Sequence, residues 1–225
     1  MHSALPAVRL QRIARISATS VVVSTLGAFA AFAGVEHGIG EVRQGWVAPS
    51  SLVIQSWPDV AAFDPLNGEP AMTVVPNLAV TGVLAIVVSL AMAAWSLRAM
   101  ERRRGGFGLI ALAFVLLFVG GGFGPPLIGI IAGIAAALAP QPARGNAERV
   151  PTAGGQLWPW LLAATVAGYL SLFPGLVLLR AMTGFEASAV VFALTAGSFA
   201  ALVLTLLTAR ADDARKAEGP PVEGR

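Results

Sequence analysis

The stretch from Gly105 to Ala139 holds 35 residues without one charged side chain, and it constrains the fold more than any other feature of the chain. As one helix it would be ~52 Å long at 1.5 Å per residue, against a bilayer hydrocarbon core of ~30 Å. It is long enough to cross a membrane and too long to cross it once. Its middle reads Gly120, Gly121, Gly122, Phe123, Gly124, Pro125, Pro126. Glycine clusters and a Pro-Pro pair break helices, and proline favours the first turn of a new one. The run therefore predicts two helices of about 18 residues or fewer, joined by a tight turn. A single kinked or re-entrant segment is the alternative.

Four further apolar runs flank it, at about 16–35, 74–97, 157–179 and 187–209. With the split run as 105–122 and 125–139, the expectation is an all-α integral membrane bundle of six transmembrane helices, one domain over 1–209, followed by a disordered cytoplasmic tail over 210–225. Composition agrees: 56% of the residues are hydrophobic and 12% charged, against about 25% charged in an ordinary soluble domain. Lipid is the solvent such a surface needs.

Charge placement orients the bundle. With six spans, thirteen of the fifteen Lys and Arg residues fall on one side, in the groups Arg9–Arg15, Arg98–Arg104, Arg144–Arg149 and Arg210–Arg225. Only Arg43 and Arg180 fall on the other. Five spans would divide them eight to seven. The positive-inside bias thus favours six spans with both termini cytoplasmic. The same scattering of short basic clusters argues against nucleic acid as a partner. Ala31-Phe32-Ala33 before Gly34 also permits a cleavable signal peptide; cleaved or not, the segment beyond Val35 is on the outer side.

Gly129 with Gly133 and Ala193 with Gly197 have the small-xxx-small spacing of close helix packing, and Pro174-Gly175 predicts a kink. Trp95, Trp158 and Trp160 fall near helix ends, as interfacial aromatics do.

Chemistry is scarce. The chain has no cysteine, which excludes disulfides, thiolate metal sites and cysteine nucleophiles. There is no phosphate-binding loop, no Gly-x-Ser-x-Gly elbow and no His-Glu-x-x-His. None of the six spans holds Asp, Glu, Lys, Arg or His, which argues against a proton-driven pump or a voltage sensor. Thr81, Ser89, Thr165, Tyr169, Ser171, Thr195 and Ser198 are polar positions inside the spans, best satisfied by interhelical or i−4 hydrogen bonds.

The expected outer side carries the candidates. Glu36, His37 and Glu41 lie in Glu36-His37-Gly38-Ile39-Gly40-Glu41, just past the first run. If the helix continues, His37 and Glu41 share a face, four residues apart. They would be the two ligands of any metal, with Glu36 a third, although Gly38 and Gly40 weaken the helix that would hold them. The simpler reading is an interfacial cap in which Arg43 pairs with a carboxylate. Arg43 and Asn77 complete the candidate ligand-binding set. The backbone turn Gly120, Gly121, Gly122, Gly124, Pro125, Pro126 faces the same side, as does the loop bearing Trp57, Asp59, Asp64, Asn67 and Glu69. No cofactor and no catalytic residue is indicated.

At Glu36–Glu41, Gly68–Asn77 (GEPAMTVVPN) and Gly120–Gly133 (GGGFGPPLIGIIAG) the chain resembles a family of uncharacterised bacterial polytopic membrane proteins to which no activity is assigned. The resemblance implies a multi-pass protein of the bacterial inner membrane and carries no functional residue. Three functions remain open: a small-solute or ion transport or ligand-binding component with its site at the outer mouth, a membrane-embedded enzyme using His37 with Glu36 or Glu41, and a structural or regulatory subunit. The partners expected are the bilayer and other membrane subunits or further copies of the chain.

Overall fold

The computed structural model describes residues 17–100, 104–139, 157–185 and 188–218. His2, the basic positions Arg9–Arg15, Arg102, Arg103, Arg144, Arg149 and Arg225, and Glu186, Ala187 and the Pro220-Pro221 pair lie outside them. The described residues form seven α-helices with one small two-stranded sheet. Helix α1 is Ala18–Gln44 and α2 is Leu78–Ala99. Helices α3 (Gly105–Phe118) and α4 (Gly124–Ala137) form a hairpin. Helix α5 (Leu157–Leu170) runs through a π-helical segment, Ser171–Leu176, into α6 (Val177–Thr183). Helix α7 is Ser188–Glu218.

Four helical stretches are long and apolar enough to cross a membrane: α1, α2, α5 with α6, and α7. Helices α3 and α4 are shorter, at 14 residues each, or ~21 Å of rise. The break between them falls where Gly120–Pro126 predicts it, with prolines in the first turn of α4. The expected kink is present too: Phe173, before Pro174, has φ −135° and ψ 123°, outside the helical region.

Two boundaries differ from the sequence reading. Helix α1 continues past Val35 to Gln44, so Glu36, His37 and Glu41 are helical rather than a cap. Helix α7 continues past Ala209 to Glu218, where a disordered tail is expected from 210. A contact explains the second extension. Asp213 accepts hydrogen bonds from the free backbone N–H groups of Ala18 (2.7 Å) and Thr19 (2.9 Å). A carboxylate at a helix N-terminus satisfies orphan donors and complements the helix dipole, so the last turns of α7 are ordered by capping the first turn of α1.

Antiparallel α1 and α2 pack through small residues. Gly27 meets Ser96, Gly34 meets Ser89, and Gly38 meets Gly82. A Cβ on Gly38 would stand 2.6 Å from the Gly82 carbonyl oxygen, so the backbones touch. In the α3–α4 hairpin Gly133 lies against Ile110 and Gly129 against Ala113, with Met92 of α2 also against Gly129, as their spacing predicts. Ala193 and Gly197 do not pack: both are exposed on α7, and a Cβ on Gly197 would meet nothing within 4 Å. Large apolar side chains also face outward, among them Leu90, Leu97, Phe107, Phe114, Phe192 and Leu207. Thr165 of α5 bonds Thr205 of α7 at 3.0 Å, and Ser171 and Thr195 bond carbonyls four residues back.

The contacts sort the connections into two ends. At one end are the start of α1 with Asp213, Trp95 donating to the Gly105 carbonyl (2.8 Å), and Arg210 donating to the Leu138 carbonyl (3.1 Å). At the other, the segment between α1 and α2 folds into a compact cap. Its strands β1 (Val53–Gln55) and β2 (Pro70–Met72) are antiparallel, pairing Val53 with Met72 and Gln55 with Pro70, around a 3₁₀ turn at Ala61–Leu66. Gly120 N donates to the Met72 carbonyl (2.9 Å) and Val74 N to the Phe118 carbonyl (3.0 Å), tying the α3–α4 turn to the cap. Arg180 donates to the Ala61 carbonyl and pairs with Asp64, each at 3.3 Å, tying in the end of α6.

Candidate metal centre

The glycines of α1 decide what can gather at its end. On helix propensity alone Gly38 and Gly40 cost ~1 kcal/mol each relative to Ala. Here the missing side chains admit neighbours. Gly38 lies on the α2 backbone, and Gly40 lies on Ser56 and Trp57 of the cap. Tertiary contact prolongs the helix that propensity would end. His37 and Glu41, one turn apart, are both buried, and Glu36 beside them is 7% exposed.

The cap supplies the opposing groups. Gln44 at the end of α1 donates to the carbonyls of Gln55 and Ser56, each at 3.0 Å. Beyond the β1–β2 pair, Ser56 N donates to the Glu69 carbonyl and Trp57 N to the Gly68 carbonyl, each at 3.0 Å. That ladder places Ser56 and Glu69 side by side over α1. Glu69 has φ +55°, the left-handed region that a non-glycine residue enters at a cost and that is concentrated at functional sites.

The side chains then interlock. His37 Nε2 lies 3.1 Å from Glu69 Oε2. His37 Nδ1 lies 2.9 Å from Ser56 Oγ, and Ser56 Oγ donates to Glu41 Oε1 at 3.3 Å. One ligand atom from each of Glu36, His37 and Glu69 lies within 4.8 Å of the other two. Glu36 Oε1, Glu41 Oε2 and the Trp57 indole Nε1 are buried without a hydrogen-bond partner among the described residues, although the indole N–H lies beside the Glu36 carboxylate just outside hydrogen-bond geometry. None of the three glutamates pairs with a lysine or arginine there. Buried charge is tolerated when it is paired or holds a cation.

The α3–α4 turn closes the cluster. Gly122, at φ +76°, lies so close to the His37 imidazole that a Cβ would overlap the ring. Gly120, at φ +91°, stands in the same relation to the Glu41 carboxylate and to Thr81. Thr81 in turn bonds Thr73 at 3.0 Å. Trp57 stacks on Phe63 (centroids 4.7 Å apart), and the Arg43 guanidinium lies 5.0 Å from the Trp57 ring centroid.

The structure thus brings Glu36, His37, Glu41, Gly120 and Gly122 of the sequence candidates together. Gly121 lies against Leu116, Gly124 meets nothing, and Pro125 and Pro126 are buried in α4. Asn77 accepts from Val80 N at 3.1 Å as the N-cap of α2. Arg43 sits on Trp57 rather than on a carboxylate. Sequence reasoning misses Ser56 and holds Glu69 only as one polar loop residue among several. The signal for Glu69 is its place in the Gly68–Asn77 motif.

The cluster is enclosed. Glu69, with 19% of its side chain exposed, forms its rim. Two surface grooves lie elsewhere. One, along Val42, Trp46 and Val83, is almost wholly apolar; the other, along Ser20, Thr25 and Arg98, is at the opposite end. No family model, curated protein or solved structure matches the chain, so the functional reading rests on this geometry.

Proposed function

We propose that the chain is a multi-pass protein of the bacterial inner membrane, with six spans, both termini cytoplasmic, and a small-ligand site at its outer mouth, acting as an ion or small-solute transport or ligand-binding component. Support for the topology comes from the two sets of contacts. The start of α1, the α2–α3 turn, the end of α4 and Arg210 share one end; the cap, the α3–α4 turn and Arg180 share the other. That alternation is what six crossings require, and it agrees with the basic residues concentrating on one side. Helices as short as α3 and α4 need local thinning or flanking residues to complete a crossing.

The observation that carries the ligand reading is the convergence of Glu36 and His37, buried at the end of a membrane-length helix, with Glu69 at the rim of the cap, and with the buried Oε1 of Glu36 left unpaired. An enclosed cluster of this polarity suits an ion better than an extended solute. The test is thermal unfolding of detergent-purified protein against inorganic and small organic cations. A saturating ligand at 100 times its Kd stabilises by ~2.7 kcal/mol. Saturable stabilisation is expected in the wild type and not in Glu36→Gln. Identical responses in the two would remove the reading.

One observation favours a second reading. Ser56 Oγ, His37 and Glu69 form a hydroxyl–imidazole–carboxylate chain, the pattern of an activated nucleophile. Ser56 is fully buried and also bonded to Glu41, so a substrate has no path to it in this conformation. Covalent labelling of Ser56 by an organophosphonate would establish that reading in place of the first.

A further inference from the structure

We propose that Glu36, His37 and Glu69 coordinate a divalent transition-metal ion of the zinc type, with Ser56 and Glu41 orienting the imidazole. The proposal rests on the ligand-site reading above and names the ligand's chemical class.

Geometry supports it first. Zinc binds imidazole nitrogen and carboxylate oxygen at ~2.0–2.2 Å in a tetrahedron, whose edges are therefore ~3.3–3.6 Å. The 3.1 Å from His37 Nε2 to Glu69 Oε2 is close to such an edge. The third ligand atom, from Glu36, is within 4.8 Å of both, so it needs to move in by ~1.5 Å at most to reach a tetrahedral edge. Glu36 Oε1 is buried and unpartnered beside them.

The hydrogen bonds admit the polarity that a metal needs. Ser56 has one proton. Given to Glu41 Oε1, it leaves Ser56 Oγ as the acceptor for the Nδ1–H of His37. The Nε2 lone pair then faces carboxylate oxygens, an arrangement that is repulsive until a cation lies between. A ligating histidine commonly donates its other N–H to an oxygen that is itself hydrogen-bonded, which fixes tautomer and ring orientation. Serine relayed to a buried glutamate does this here. With the opposite polarity, Nε2–H would donate to Glu69 and a proton would stand where the metal does.

Ligand type points to zinc rather than to calcium or magnesium. Those hard ions take six or more oxygens, or keep several waters. This cluster offers an imidazole and few oxygens in a closed space. Three protein ligands leave one tetrahedral position for water or an exchangeable ligand, on the side of the Glu69 rim. Glu41 is a positioning residue, one hydroxyl removed from the metal, rather than the ligand its helical spacing suggests.

The experiment is metal titration of the purified full chain in detergent. Zn2+ is followed by equilibrium dialysis and Co2+ by its visible ligand-field absorption. One metal per chain with a tetrahedral Co2+ spectrum is expected. His37→Ala and Glu69→Gln should abolish tight binding, and Ser56→Ala should weaken it ~10–100-fold, as outer-shell partners do. Glu69→Gln changes a rim residue isosterically and guards against misfolding of His37→Ala. Absence of Zn2+ and Co2+ binding, or binding unchanged in Glu69→Gln, overturns the metal assignment. If Ca2+ or a small organic cation such as tetramethylammonium then gives stabilisation that Glu36→Gln removes, the metal assignment alone has failed. If no cation does, the ligand-site reading fails with it.

Discussion

Gly122→Ala tests whether the α3–α4 turn supports the site. Two costs act at this position. Its φ of +76° is in the left-handed region, where a Cβ costs ~1–2 kcal/mol. The added methyl also overlaps the His37 ring, and overpacking of that kind costs ~1–3 kcal/mol. The two together give a destabilisation of ~2–5 kcal/mol if they add. Gly184 separates them. It has φ +71° but open space where a Cβ would go, so Gly184→Ala carries only the backbone cost of ~1–2 kcal/mol. Gly124, with neither positive φ nor a neighbour within 4 Å, should change stability by less than ~1 kcal/mol as Ala. Equilibrium unfolding of the three variants in mixed detergent micelles reads the series. Gly122→Ala is expected to be ~1–3 kcal/mol less stable than Gly184→Ala, or ~5–150-fold in the unfolding constant at 1.4 kcal/mol per decade. It should also weaken metal binding, because the displaced imidazole is a ligand. Equal stabilities for Gly122→Ala and Gly184→Ala would refute the seating of the turn on His37.

Two other perturbations address the frame. Asp213→Ala removes the acceptor for two backbone N–H groups of α1; a loss of ~0.5–2 kcal/mol is expected from capping data, with faster hydrogen exchange confined to Ala18, Thr19 and the last turns of α7. Gly38→Ala sets a methyl against the α2 backbone, which cannot rotate away as a side chain can. It should cost ~1–3 kcal/mol, and unchanged thermal stability would show that α1 and α2 can part without loss.

The features legible in the sequence are local ones. The break at Gly120–Pro126 is legible because three glycines and two prolines act on the backbone wherever they occur. The packing of Gly129 and Gly133 agrees with their spacing. The apolar runs locate the helix bodies because burial in lipid needs length and hydropathy alone. The extension of α1 is not legible, because Gly38 and Gly40 read as weakness until their neighbours are known. The strands β1 and β2 are three residues each, and Pro70 opens the second; so short a pair has no period to detect. The order of 210–218 depends on Asp213 reaching residues 194 and 195 positions away. The partnership of His37 with Glu69 is likewise non-local and runs through a strained φ that a glutamate does not advertise.

Backbone proximity and side-chain chemistry are separable in this site. The imidazole and carboxylates of α1 come under the cap only because glycines at 38, 40, 120 and 122 let four backbone segments approach. A substitution at any of these must move a helix, the cap, a ligand or the positioning residue Glu41, so stability and binding should fall together. Of the three proposed ligands, His37 and Glu36 are buried and packed, and Glu69 has the smallest packing role. Glu69 is a rim residue, and an isosteric amide there preserves shape while removing charge. If the buried Glu36 and Glu41 and the rim residue Glu69 crowd one histidine in the apo protein, removing one charge relieves strain, as neutral replacement of buried ion clusters can. Glu69→Gln is then expected to leave the metal-free protein as stable as the wild type or more so, while losing the metal. A structural ion pair predicts the reverse, because His37 would lose its partner and the protein would be destabilised with or without metal. The sign of that one change in metal-free stability therefore distinguishes a site built for a cation from a salt bridge that only closes the cap.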